Sequence, residues 1–242
     1  MGLKHKRAII EALTFHVKEK LGEIAIFSSS RVELPPLFSV EQSNTMENFQ
    51  RIVLASGSPY RRQLLQKLGI DFIWAAPAID ESPKNGETPT NLAKRLAEQK
   101  AIKLATTYPE HLIIGSDQIA SFNGQIIGKP YTYEAAYRDL RNFSGNEVSF
   151  ITGICLLNSK TGKAQVANEI YFVKFRQLTN SQIENYLKRE QPYDCAGSFK
   201  AEGLGICLFE NMKGNDPNTL IGLPLISLIN MLANENVHPL GV

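Results

Sequence analysis

Several side chains in this sequence sit where a backbone turn would present them to a ligand. The run Leu54-Ala55-Ser56-Gly57-Ser58-Pro59-Tyr60-Arg61-Arg62 passes from apolar residues through a small-residue turn into a basic helix start. Ser58 suits an N-cap and Pro59 the first helical position. Helix-start N–H groups, the Ser56 and Ser58 hydroxyls and two arginines together make an anion site. Two arginines in a first turn oppose the helix dipole, so a bound anion accounts for them better than a solvated face. A second run, Leu112-Ile113-Ile114-Gly115-Ser116-Asp117-Gln118, is apolar and ends on a carboxylate fit to hold a metal or activate water. Lys100 lies inside an apolar helical stripe between Leu96 and Leu104, so its ammonium must snorkel or meet an anion. In Gly128-Lys129-Pro130 a lysine is held beside a stiff proline, another candidate phosphate contact. It is not a Walker A loop, because the upstream glycine spacing is absent. The adjacent acids Asp80-Glu81, in a proline-bounded loop, read on their own as solvated.

The elements that must position these groups follow from hydrophobic period and punctuation. Arg51 to Ala55 reads as a short buried strand, and Leu64, Leu65 and Leu68 as the stripe of a helix closed by Gly69. Phe72 to Ala76 is a second strand. Thr88-Pro89 opens a helix to about Thr106, with Leu92, Ala93, Leu96, Ala97, Ala101 and Leu104 as its core face. Leu112 to Ile114 is a central strand with Gly115-Ser116-Asp117 at its carboxyl end, where ligands collect in open α/β sheets. Ile119 to Phe122 and Gln125 to Ile127 flank Asn123-Gly124, a type I′ hairpin signal. A helix from Thr132 to about Phe143, ended by Gly145, precedes two long strands near Val148 to Leu157 and Val166 to Phe175. A helix spans Thr179 to Arg189. The stretch Cys195 to Gly205 is rich in small residues that let backbone approach a ligand. Ile206 to Phe209 reads as a strand, and a last, well-buried helix starts at Asp216-Pro217-Asn218-Thr219 and runs through Leu232.

Bulk composition narrows the function classes. The chain has 242 residues, 43% hydrophobic and 21% charged, which suits a globular protein with a real core. A formal charge of +2 and the lack of an aromatic–basic patch argue against nucleic acid or an anionic membrane as partner. No apolar run is long enough for a transmembrane helix. Cys155, Cys195 and Cys207 share no CxxC spacing and read as buried thiols of a cytoplasmic protein. Residues 1–48 carry a basic helical stripe (Ile9, Ile10, Leu13, Val17, Leu21) and then a Ser/Pro/polar linker. They read as an N-terminal extension, either a flexible arm or sequence upstream of a start at Met46, with the globular domain at 49–242.

From about Arg51 to Leu240 the chain resembles the Maf family of nucleotide pyrophosphatases. The likeness is carried by Ser56-Gly57-Ser58-Pro59-Tyr60-Arg61-Arg62, Asp80-Glu81, Glu98-Gln99-Lys100-Ala101, Gly115-Ser116-Asp117-Gln118, Gly128-Lys129-Pro130, Ala196-Gly197-Ser198-Phe199 and Gly222-Leu223-Pro224-Leu225, in the family's order. The resemblance implies an α/β fold of the Maf/inosine-triphosphatase type, a curved mixed β-sheet flanked by helices with a cleft between two lobes. It implies divalent-metal-dependent hydrolysis of a nucleoside triphosphate to the monophosphate and pyrophosphate. By matching position Asp117 would be the general base, Glu81 and Asp117 would hold Mg²⁺ or Mn²⁺, and Ser56, Arg61, Lys100 and Lys129 would contact phosphate. A homodimer is a further family expectation.

Substrate choice is expected at Tyr60, Gln118 and Glu202. In the branch acting on UTP and dTTP the matching residues are Arg, Thr and Gln, whereas this chain is close to the branch that hydrolyses 7-methyl-GTP. That branch typically carries Trp where this chain has Tyr60. An acceptor-only carboxylate at Glu202 suits guanine's N1–H and N2–H₂ donors, and an aromatic face suits a purine made cationic by N7 methylation. A UTP/dTTP or broad-specificity pyrophosphatase is the alternative. A non-enzymatic regulator of septum formation is a second, following from the division phenotype behind the family's name.

Overall fold

The computed structural model describes residues 51–241, so the extension expected at 1–48 lies outside the described residues. The chain order is β1 (Ile52–Ala55), α1 (Pro59–Gln66), β2 (Phe72–Ala75), α2 (Pro89–Ala105), β3 (Leu112–Phe122), β4 (Gln125–Ile127), α3 (Tyr133–Phe143), β5 (Glu147–Asn158), β6 (Lys163–Phe175), α4 (Asn180–Glu190), a 3₁₀ turn (Leu204–Leu208), β7 (Phe209–Lys213), α5 (Asn218–Ile221) and α6 (Leu225–Ala233). The strands form one seven-stranded mixed sheet in the order β2-β1-β3-β5-β6-β7, with β4 paired to β3. β1 runs parallel to β2 and β3, and the remaining pairs are antiparallel. This is the α/β class expected from the sequence.

Local chemistry sets the helix starts. Ser58, Thr88, Thr132 and Thr179 each accept a backbone N–H three residues on, and Thr179 closes a full capping box with Gln182. Asn123 and Gly124 both have positive φ, as a type I′ turn requires. β1 is buried on both faces because parallel partners flank it and helices cover it.

The hydrophobic core is interrupted where the polar residues of β3 fall. One cluster gathers Ala120, Phe150, Val173 and Phe175 under α3 and α4. Another gathers Leu54, Leu112, Ile114, Ile154 and Leu156 with Leu65 and α6. Each fully buried aliphatic side chain in them contributes about 1.5–3 kcal/mol. Ser116 and Gln118 on β3, with Thr152 opposite on β5, lie at the seam between these two clusters, while Asp117 and Gly153 point to the other face of the sheet.

α2 crosses that other face at backbone contact. A Cβ at Gly115 would stand 2.0 Å from Ala97 O, and one at Gly153 would stand 2.1 Å from Ala93 O. No other residue allows this approach. Lys100 is thereby brought against β3.

Four expectations need correction. β3 is one continuous strand through Phe122, so Asp117 lies mid-strand rather than at a strand end. It is β1 that stops at Ala55, opposite Gly115, and leaves Asp117 beyond its carboxyl end. Residues 206–208 form a 3₁₀ turn, because the glycine-rich approach tightens the chain before β7. The last helix is split into α5 and α6 by Gly222, at φ 111, and Pro224. Of the cysteines, all free, Cys155 is buried but Cys207 is exposed. Among the described residues no helix is long and apolar enough to cross a membrane.

Candidate active site

Lys100, inside the apolar stripe of α2, does find its anion. Its Nζ lies 2.5 Å from Asp117 Oδ1 and 2.7 Å from Glu81 Oε1. The Lys100 and Asp117 side chains are each less than a tenth exposed, while that of Glu81 is half exposed. The cluster therefore has a buried floor and an open rim. Burial raises the Glu81 carboxyl, but Lys100, with Lys129 and Arg61 behind it, more than reverses this and holds it below its ordinary value. Removing one partner of a buried ion pair leaves a stranded charge that costs roughly 3–5 kcal/mol.

The two arginines of α1 part company. Arg61 donates from Nε to Gly222 O at 2.8 Å, and its charge acts on Asp117 and Glu81. Burial lowers the Arg61 guanidinium from its ordinary value, and those two carboxylates oppose the change. Arg62 instead lies 3.9 Å above the Trp74 ring on the edge strand β2. Only Arg61 of the pair is directed toward the Glu81 and Asp117 carboxylates. Gly222 O also accepts from Ser116 Oγ at 2.9 Å, so the α5–α6 corner ties α1 to β3. Ser56 is buried at the end of β1, where its Oγ accepts from Ser58 N at 3.1 Å.

Tyr60 and Glu202, far apart in sequence, face each other. Burial, then the charge and hydrogen-bond acceptance of the Glu202 carboxylate, push the Tyr60 phenol above its ordinary value. Gln118 is separated from the charged cluster by the pleat: neighbours on a strand point to opposite faces. Asp117 turns to α2, whereas Gln118 Nε2 donates to Thr219 O at 2.8 Å and Leu220 O at 2.9 Å on α5. Its amide nitrogen is committed to these carbonyls, leaving Oε1 as the polar atom for a ligand. Lys129 is exposed beyond β4, near enough to act on Glu81.

Residues 51–235 match the family of Maf-like proteins. The chain belongs to that family. Membership in the Maf-like family points to nucleotide pyrophosphatase chemistry, generally dependent on a divalent metal. The donor chemistry here fits such an ion. Glu81 and Asp117 supply oxygen alone, as Mg²⁺ and Mn²⁺ prefer, and they converge on one cation, the Lys100 ammonium. Among the described residues no group of three or more His, Cys, Asp or Glu could hold a metal, so water and substrate oxygens would complete the shell.

One positioning network in this Maf-like chain was not foreseen. Arg95 on α2 binds both oxygens of Glu87 at 2.7 Å and donates to Ser82 O at 3.0 Å and to Gln99 Oε1 at 3.0 Å. It fastens the loop bearing Glu81 to the helix bearing Lys100. Glu87 precedes the helix cap, outside any i,i+4 pairing, so the sequence carries no spacing signal for it.

Proposed function

We propose that this protein is a nucleoside triphosphate pyrophosphatase acting on 7-methyl-GTP, releasing 7-methyl-GMP and diphosphate. The observation carrying the reading is the convergence of Lys100, Glu81 and Asp117 on one cluster, with Tyr60, the neighbour of Arg61 in sequence, paired to Glu202. Water attacks the α-phosphorus, the bond to the bridging oxygen breaks, and diphosphate leaves. Asp117 is the general base: one oxygen is held by Lys100, and the other is left to take the water proton. Arg61, fixed through Nε, offers its terminal nitrogens to phosphate, and Ser56 shapes the turn beneath it. Lys100 and Lys129 balance charge on the triphosphate and on the leaving diphosphate.

Glu81 and Asp117 would hold Mg²⁺ or Mn²⁺, which when bound neutralises phosphate charge and polarises the phosphoryl oxygen. Glu202 accepts from the guanine N1–H and N2–H₂, and the Tyr60 ring lies under the cationic methylated purine. Gln118 Oε1 is a further acceptor for the same donors, its orientation fixed by α5. The test is steady-state hydrolysis of 7-methyl-GTP, GTP, UTP and dTTP side by side with Mg²⁺ and with Mn²⁺. The highest kcat/KM is expected for 7-methyl-GTP, and a clear pyrimidine preference refutes the assignment.

A further inference from the structure

Glu202 stands on a turn that is fastened at both ends to one helix. At the leading end, Lys200 N donates to the buried Tyr186 hydroxyl at 3.0 Å, and Lys200 Nζ donates to Glu190 O at 3.1 Å. At the trailing end, Leu204 N donates to Glu190 Oε1 at 3.1 Å. The turn is closed on itself by Gly203 N and Gly205 N, both donating to Lys200 O. Gly203 lies flat on the Glu190 carboxylate, where an added Cβ would stand 2.9 Å from both oxygens. Upstream, buried Ser198 has a left-handed φ of 62 and donates to Asp139 Oδ2 at 2.6 Å.

Glu190 is the last residue of α4. A carboxylate there faces the negative end of the helix dipole, a placement that costs about 0.3–1 kcal/mol. Helix stability does not select it. Holding the turn does.

We propose that Glu190 and Tyr186 are positioning residues for nucleobase recognition, setting the Glu202 carboxylate beside Tyr60 without touching substrate. This rests on the reading of Glu202 as the acceptor for the base. Two anchors spanning the turn restrict Glu202 to one pose, so that its hydrogen bonds to a guanine edge require little further ordering. The triphosphate end is held by other elements and is indifferent to the clamp.

The experiment measures kcat and KM for 7-methyl-GTP and UTP with the full chain and Mg²⁺, for wild type, E190A, E190Q, Y186F and E202A. E190A is expected to raise KM for 7-methyl-GTP by about five- to tenfold, the scale of one lost hydrogen bond, with kcat for both nucleotides within about twofold. KM for UTP stays put, so the selectivity ratio falls by the same factor. E190Q keeps an acceptor oxygen for Leu204 N and restores the ratio. Y186F, which removes a single oxygen, lowers the ratio in the same direction even if E190A fails to fold. The clamp is overturned if E202A collapses the ratio while E190A or Y186F leaves it intact, or if those variants depress both nucleotides equally. If E202A itself leaves the ratio intact, the base-acceptor reading of Glu202 falls, and the clamp falls with it.

Discussion

Gly115→Ala adds one methyl group where β3 meets α2. The new Cβ would stand 2.0 Å from Ala97 O and 3.0 Å from Ala101 N, both main-chain atoms of a buried helix that cannot turn aside. Carbon–oxygen approaches settle at about 3.3–3.6 Å, so α2 must retreat by more than about 1 Å. Lys100 rides on that turn of the helix, and its ammonium, 2.5 Å from Asp117, would leave hydrogen-bonding range. Overpacking of this kind costs about 1–3 kcal/mol, a fall in Tm of about 2–12 °C for a domain of this size. Displacing a reacting group by about 1 Å costs about a hundredfold in turnover. Gly153→Ala presses on the same helix at Ala93 O, two turns before Lys100. It should therefore match the loss in Tm with a smaller loss in rate. Thermal melts and pyrophosphate release on the two variants decide the matter. A Gly115→Ala protein with native Tm and native turnover refutes the reasoning that close helix–strand contact positions the lysine.

The arginines of α1 should separate in the same assay. Arg61→Ala is expected to lower kcat/KM by about tenfold or more, because its charge faces the Asp117 and Glu81 carboxylates, where phosphate is proposed to bind. Arg62→Ala, which loses only its stack on Trp74, should cost about 0.5–1 kcal/mol of stability and leave turnover within about twofold. Acid should loosen the Glu81 loop. Glu87, its carboxyl held at about 2 by hydrogen bonds from Arg95 and Lys84 N, is below its ordinary 4.5 in the folded protein. Its contribution to stability is therefore complete above pH 4.5 and is lost as pH falls from there through about 2. Glu81, lowered against burial by Lys100, adds to the same acid-side loss. Arg95→Ala should flatten the decline of Tm below pH 4.5, and an unchanged slope would contradict the pairing.

Much of the site was legible because its residues broke local rules. Lys100 stands in an apolar stripe, where its ammonium must snorkel or meet an anion, and it meets Asp117. Ser58, Thr88, Thr132 and Thr179 announced their helices through cap chemistry that acts within four residues. What stayed hidden depends on long-range pairing. In the sequence Asp117 reads as a strand end because the neighbouring polar residues resemble one. The antiparallel partner β5, distant in sequence, pairs with β3 from Leu112 to Ser121 and so carries the strand past Asp117. Glu81 read as solvated because nothing near it in sequence shows the lysine it meets. The separation of Arg61 from Arg62 depends on Gly222 and Trp74, whose positions only the assembled sheet fixes. The glycine-rich 195–205 stretch signalled close backbone approach, but not that the approach would be to α4.

Asp117, within the Lys100–Glu81 cluster, is proposed to direct water onto the α-phosphorus of a nucleoside triphosphate. Turnover of 7-methyl-GTP in ¹⁸O-labelled water, with products resolved by mass, tests it most directly. Label is expected in 7-methyl-GMP and not in the diphosphate, with no labelled product from Asp117→Asn. Label in the diphosphate, or an Asp117→Asn protein that turns over as wild type does, would contradict it.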